Sequence, residues 1–262
     1  MNTLFGRGAA FCDRFGLRVP ILLAPMAGSS APALSAAVIN AGGMGACGAL
    51  LWQAEEIIAW AEQVRAASNG PFQMNLWIPD PPPKRDPAHE TQIREFLAGW
   101  GPAVDPEAAG APLQDFSAQC HALLAAHPLA ASSIMGVYPP DFVAELKRQR
   151  IAWFANVTTV AEARIAEAAG ADVIVAQGME AGGHRGAFQA VDAERRLVGL
   201  FALVPAIVDA VSVPVVATGG IADARAAIRA AAVYSDEKWA RHDAGAGFYL
   251  RFADLPGDAG LR

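Results

Sequence analysis

Short apolar runs bounded by glycine, proline and asparagine recur along this chain, and stretches with apolar positions at helical spacing lie between them. Val19–Ala24 (VPILLA) reads as a first buried strand, stopped by Pro25-Met26-Ala27-Gly28. Ser30 or Pro32 can open a helix that runs to Ala41 and is closed by Gly42-Gly43. Met44–Ala49 reads as a short second strand. Ala54–Ala67 has Ile57, Ile58, Ala61 and Val64 on one side of a helix, and Asn69-Gly70 marks its end. Phe72–Trp77 is a third strand, with Asn75 near its end. Regular alternation of strand and helix predicts a parallel sheet.

The alternation pauses over Ile78–Pro112, which is rich in proline and carries one predicted helix at Thr91–Ala98. Inserts of this length in a compact domain are typically lids or binding loops, so partial cover over the strand ends is expected. The pattern then resumes with a helix at Asp115–Ala126, a strand at Ala131–Met135, a helix at Pro140–Gln149 and a strand at Ala152–Val157. Thr159-Val160-Ala161-Glu162 is a capping-box pattern that opens a helix to Ala169. Val173–Ala176 is the sixth strand, Leu197–Val211 a helix, and Val213–Thr218 the seventh strand. Seven strand-helix units make an α/β (β/α)8 TIM barrel the expected fold, in a single domain over residues 1–262. The eighth strand is atypical or missing: Gly247–Phe252 is the one segment able to fill its place. Were it missing, two sheet edges would be open, and a homo-oligomer would be one way to cover them.

Chemistry concentrates at the end of the sixth strand. VIVAQGMEAGGHRGAF (Val173–Phe188) passes from a buried run into a loop with Gly178, Gly182 and Gly183 before His184, Arg185 and Gly186. Parallel α/β proteins build their active sites just past the carboxyl ends of strands. His184 is the strongest acid/base candidate, because an imidazole titrates near neutrality. The alternative is a polar surface turn with an incidental histidine. Gly219-Gly220, leading from the seventh strand towards a helix, could seat a phosphate on backbone N–H groups or form a plain tight turn.

Composition narrows the field. The chain has 262 residues, 53% of them hydrophobic, enough for a large core. A net charge of −6 without a run of Lys or Arg gives no nucleic-acid footprint. The longest apolar stretch, Val198–Val208, is broken by Pro205 and too short to span a bilayer, and Asp13, Arg14 and Arg18 break up any signal-peptide core. Cys12, Cys47 and Cys120 are odd in number and widely spaced, which reads as reduced thiols in a cytoplasmic protein with no metal site.

Taken together, these segments resemble the nitronate monooxygenase family, formerly 2-nitropropane dioxygenases. The matching pieces are Ala24-Pro25-Met26-Ala27-Gly28, Gly42-Gly43-Met44-Gly45 with Gly48-Ala49, and Asn75-Leu76. Val157–Ala163, Ala176–Gly186 (AQGMEAGGHRG) and Gly219–Asp223 follow in the family's order, over roughly residues 19–230. The resemblance implies an FMN-dependent TIM barrel that oxidises alkyl nitronates or nitroalkanes with O2 to carbonyl compounds and nitrite. It implies that Pro25, Met26 and Ala27 lie against the flavin ring, and that Asn75 and Gln177 hydrogen-bond the cofactor. Gly182 and Gly183 would pack beside it, Gly219 and Gly220 would take its phosphate, and His184 would be the catalytic base. The family's GTxF strand, which completes the phosphate site, has no counterpart after Gly220, and residues 233–262 form a divergent tail. Two other readings remain: an FMN-dependent enoyl-acyl-carrier-protein reductase, which shares GMEAGGH, and a non-catalytic remnant with impaired FMN binding.

Overall fold

Eight parallel strands pair edge to edge in the computed structural model, which describes residues 6–81, 84–110, 114–223 and 246–250. In chain order the elements are α1 (Gly6–Phe15), β1 (Ile21–Leu23), α2 (Pro32–Asn40), β2 (Gly45–Gly48), α3 (Ala54–Ala67), β3 (Phe72–Trp77), α4 (Pro87–Ala98) and α5 (Phe116–Ala126). They continue with β4 (Ala130–Ile134), α6 (Pro140–Arg148), β5 (Ala152–Val157), α7 (Val160–Ala168), β6 (Val173–Gln177), α8 (Leu200–Val208), β7 (Val215–Thr218) and β8 (Ala246–Leu250). The sheet order is β1-β8-β7-β6-β5-β4-β3-β2. Leu23 N donates to Met44 O at 2.9 Å and Met44 N to Ile21 O at 3.0 Å, which joins β1 to β2 and closes the barrel.

The eighth strand is therefore present, where Gly247–Phe252 was expected to supply it. Its backbone pairs Ile21 with Phe248 on one side and Val215 with Ala246 on the other. The open edges that a homo-oligomer would have covered are paired within the chain. The helix expected after Asp223, and the tail apart from β8, lie outside the described residues.

Strand alternation sorts the side chains. Phe72, Met74 and Leu76 on β3, Trp153, Ala155 and Val157 on β5, and Ile174 and Ala176 on β6 face outward and pack in the large cluster beneath the helices. The opposite faces point into the barrel. Towards its amino-terminal base they are apolar: Leu22, Met44, Ala130, Phe154, Val173, Val175 and Val216 form one buried cluster.

α1 belongs to that cluster and was not anticipated from the sequence, where the first residues read as a lead-in. Phe11, Cys12 and Phe15 are buried against the barrel base. The rings of Phe15 and Phe154 meet edge to face with centroids 5.1 Å apart, so the helix stoppers the base. Asp172 ties this end together, accepting from Trp153 N at 2.8 Å and pairing with Lys147 at 2.6 Å.

The long insert behaves otherwise than expected. Its helix begins at Pro87, four residues before the predicted start, because the Asp86 carboxylate caps it by accepting from Ala88 N and His89 N. α4 buries none of its residues, and Phe96 and Trp100 are 62% and 80% exposed, so it is not packed down on the strand ends as a cover.

Two measurements follow from the packing. Phe15→Ala leaves a cavity at the barrel base and should lower stability by about 3 kcal/mol, read as a fall in the denaturant midpoint at unchanged slope. Burial pushes the Cys120 thiol up to about 12 and the Cys47 thiol higher still, and raises Cys12 as well. At pH 8 all three therefore stay protonated, and a thiol reagent should label the native protein slowly and the unfolded protein at once.

Candidate functional site

The inward faces of the strands change character towards their carboxyl ends. Above the apolar base, β3 presents Asn75, β4 Ser132, β5 Asn156, β6 Gln177 and β7 Thr218. Each is two residues beyond an inward-facing position nearer the base, so the period-two repeat alone gathers five polar side chains into one ring at the mouth.

Part of this ring is already bonded. Asn75 Nδ2 donates to Ser132 O and Ser132 Oγ, both at 3.1 Å, while Tyr138 OH donates to the same carbonyl at 2.7 Å. Gln177 Nε2 donates to His184 O at 3.0 Å, and Gln177 Oε1 accepts from Gly186 N at 2.7 Å. The Gln177 amide thus folds the His184 loop back over the mouth. Each of these side chains keeps a second donor or acceptor position for a ligand. Asn156 Nδ2 is buried with no partner among the described residues. Gly186 lies over it: a Cβ there would come within 2.1 Å of Asn156 Nδ2, so a side chain at this position would have to displace the Asn156 amide.

His184 is exposed on this loop, and its ring meets Trp77, the last residue of β3, edge to face with centroids 4.7 Å apart. Sequence reasoning missed Trp77, which reads only as the end of a strand; the contact crosses from β3 to the loop after β6. Arg185, next to the histidine, turns inward. Its guanidinium donates to Gln177 O at 3.0 Å, Arg196 O at 3.3 Å and Thr158 O at 3.4 Å, and desolvation lowers its pKa against the pull of Glu162 and Glu180.

The Pro25–Ala27 segment forms a turn above β1, with Gly28 at φ +73°. Ser30 Oγ accepts from Met26 N at 2.9 Å, and Trp60 Nε1 donates to Ser30 O at 2.8 Å, which anchors the turn to α3. The turn rests on Gly48 at the end of β2, where a Cβ would lie 2.8 Å from Ala27 N. Two strands round the barrel, past the end of β7, Gly219 and Gly220 have φ of +121° and +66°, and their N–H groups have no partner among the described residues. They lie against Glu180 and Ala181 of the His184 loop. Glu180 in turn accepts from Leu200 N at 2.9 Å and so caps α8. Gly182 and Gly183 are exposed beside His184.

A concavity of about 510 Å³ opens at the opposite end, lined by Arg65, Phe72, His127 and Arg150 among others. It lies at the amino ends of β3 and β4, and Arg65 there donates to Ala126 O and His127 O at the end of α5. This is the amino-terminal end of the barrel, where Arg65 is taken up by helix-end carbonyls, whereas the polar ring and His184 gather at the carboxyl ends of the strands, so the mouth is the candidate site. Among the described residues, no cluster of His, Cys, Asp and Glu could hold a metal ion, and no helix is long and apolar enough to cross a membrane.

A family profile described as nitronate monooxygenase matches residues 10–234. The nitronate monooxygenase of Pseudomonas aeruginosa is 40% identical over 229 residues, covering 84% of this chain and 64% of that protein. That of Paraburkholderia phytofirmans is 39% identical over 223 residues, covering 82% and 60%. The chain thus spans about three-fifths of the length of these relatives. Among solved structures, a nitroalkane oxidase from Streptomyces ansochromogenes superposes with a TM-score of 0.72 at 33% identity, over 90% of this chain and 66% of that one. FabK from Thermotoga maritima superposes at 0.64 with 25% identity, over 91% and 60%.

Gly48→Ala should displace the Pro25–Gly28 turn, because the obstacle is backbone and not a movable side chain tip. A loss of about 1–3 kcal/mol in unfolding free energy is expected, together with faster proteolysis within the turn.

Proposed function

The chain belongs to the nitronate monooxygenase family, and on that premise we propose that it oxidises alkyl nitronates, and nitroalkanes once deprotonated, with O2 on a bound FMN, giving a carbonyl compound and nitrite. The observation that carries this reading is the His184 loop, folded over a ring of amides at the barrel mouth with its imidazole exposed.

The residues at the mouth fit a flavin. Gly219 and Gly220 offer unbonded N–H groups on a backbone without side chains, the kind of cradle a phosphate takes. The buried Asn156 Nδ2 needs an acceptor, and a flavin edge carries several. Pro25, Met26 and Ala27 would wall one side of the ring, while Gln177 has one N–H and Asn75 its Oδ1 acceptor left for its polar edge, with Gly182 and Gly183 beside it. Bound there, the flavin supplies the redox and O2 chemistry that amino acid side chains lack.

The chain's own part is proton handling and orientation. Towards a neutral nitroalkane, His184 acts as general base and removes the α-proton, leaving an anionic nitronate beside an imidazolium. Towards a preformed nitronate, the protonated ring holds the negative charge. Trp77, edge to face with the imidazole, sets its tilt. The three free, buried cysteines suit a reducing, cytoplasmic setting.

A second reading, an FMN-dependent enoyl reductase, is favoured by the likeness to FabK. Flavin absorption bands should survive desalting of the purified protein, and oxygen uptake should follow addition of nitronate. A protein that consumes NADH with an enoyl thioester and ignores nitronates would be the reductase, and one that stays colourless with added FMN would be neither. His184→Asn should cut turnover of neutral nitroalkane by roughly 100-fold or more while leaving flavin retention intact; unchanged turnover removes His184 as the base.

A further inference from the structure

Glu162 is a charged residue only 8% exposed, and it stands outside the set of residues so far given a role. Locally it completes a capping box at the start of α7: Thr159 Oγ1 accepts from Glu162 N at 3.2 Å and Glu162 Oε2 accepts from Thr159 N at 3.1 Å. The same device stands at the start of α3, where Glu56 accepts from Gln53 N at 2.8 Å. Glu56 is exposed, as a cap can be, since a surface carboxylate keeps its hydration.

Burial of Glu162 is therefore more than capping requires, and a buried carboxylate is retained only where hydrogen bonds replace its water. The replacements point to one place. Glu162 Oε2 also accepts from Thr158 N at 2.7 Å and Thr158 Oγ1 at 2.8 Å, at the end of β5. Glu162 Oε1 reaches away from the helix to accept from Phe188 N at 2.9 Å. Phe188 is four residues past His184 on the mouth loop. Arg185 returns the connection, donating from its guanidinium to Thr158 O and Gln177 O. One side of the His184 loop is thus held by Gln177, and the other side by Glu162.

We infer that Glu162 is a positioning residue for His184: through Phe188 N and the Thr158–Arg185 contacts it holds the loop so that the imidazole sits against Trp77, aimed into the barrel mouth. It touches neither ring nor reacting atom. The inference rests on the proposed role of His184 as base, and its test separates the two.

The test uses the flavin-loaded full chain with Glu162→Gln, and Glu56→Ala as a control that removes the equivalent cap elsewhere. Activity is read as oxygen uptake with nitroethane and with preformed ethyl nitronate, the first needing proton removal and the second not. Glu162→Gln should lower kcat/KM for nitroethane by roughly 10- to 100-fold, the scale of a misplaced base, and change that for ethyl nitronate by less than about threefold. Its pH profile with nitroethane should shift as well, while Glu56→Ala alters melting temperature alone. The second readout needs no turnover: His184 ring resonances, identified by their loss in His184→Asn, carry a ring-current shift from Trp77 that should collapse towards the free value in Glu162→Gln and persist in Glu56→Ala. Unchanged His184 resonances in Glu162→Gln overturn the inference, as does an equal loss on both substrates in step with melting temperature. Wild-type protein inactive on both substrates overturns the proposed function instead, and the resonances still decide whether Glu162 places the ring.

Discussion

A closed barrel of eight short strands has an interior just wide enough for its own side chains, and everything at the functional end follows from how that interior is filled. Phe154, with Phe11 and Phe15 of α1 pressed against it, occludes the base. Gln73 Nε2 crosses to Leu23 O at 3.3 Å and braces the interior between β3 and β1. With the lower half solid, the polar ring of Asn75, Ser132, Asn156, Gln177 and Thr218 has a floor instead of a channel beneath it. Polar groups raised on a dry floor keep their orientation, which is the condition for holding a flat ligand in one pose.

The loop between β6 and α8 is fixed more firmly than its glycine content implies. Gln177, Arg185, Glu180 and Glu162 each bond to its backbone or to the backbone it abuts. Glycine at Gly186 is explained by the crowding of Asn156 and Gln177 against it, not by conformational freedom. The result is an exposed imidazole on a stiff support, with Trp77 as its lateral stop. FabK shares the barrel fold with this chain at a TM-score of 0.64, so what separates the two proposed activities is what the mouth accepts.

Strand and helix order was legible from the sequence because apolar runs and caps repeat in register with the fold. The capping box at Thr159–Glu162, the proline at the start of α6 and the Asn69-Gly70 stop after α3 all stand where the pattern put them. α1 escaped notice since its apolar residues, Phe11 and Phe15, are one turn apart in a short segment with no strand before it. The eighth strand was obscure because Ala246 and Gly247 interrupt its apolar signal, while its pairing depends on backbone alone. At the site, His184 and Gln177 announced themselves by type and spacing. Trp77 and Glu162 did not, since each acts across a gap of more than twenty residues that only the closed barrel spans. The expected cover over the strand ends failed for a related reason: composition identified an insert but not which surface it would meet.

The α8 cap carries one more implication. Helix amino termini draw anions, and the mouth offers two places for one, the start of α8 after β6 and the unbonded N–H groups of Gly219 and Gly220 after β7. The Glu180 carboxylate already neutralises the first, bonding Leu200 N with both oxygens. An anionic ligand of the kind proposed would be left the unbonded N–H groups of Gly219 and Gly220, and the direction in which an elongated one lies across the barrel would be set before its ring makes any contact.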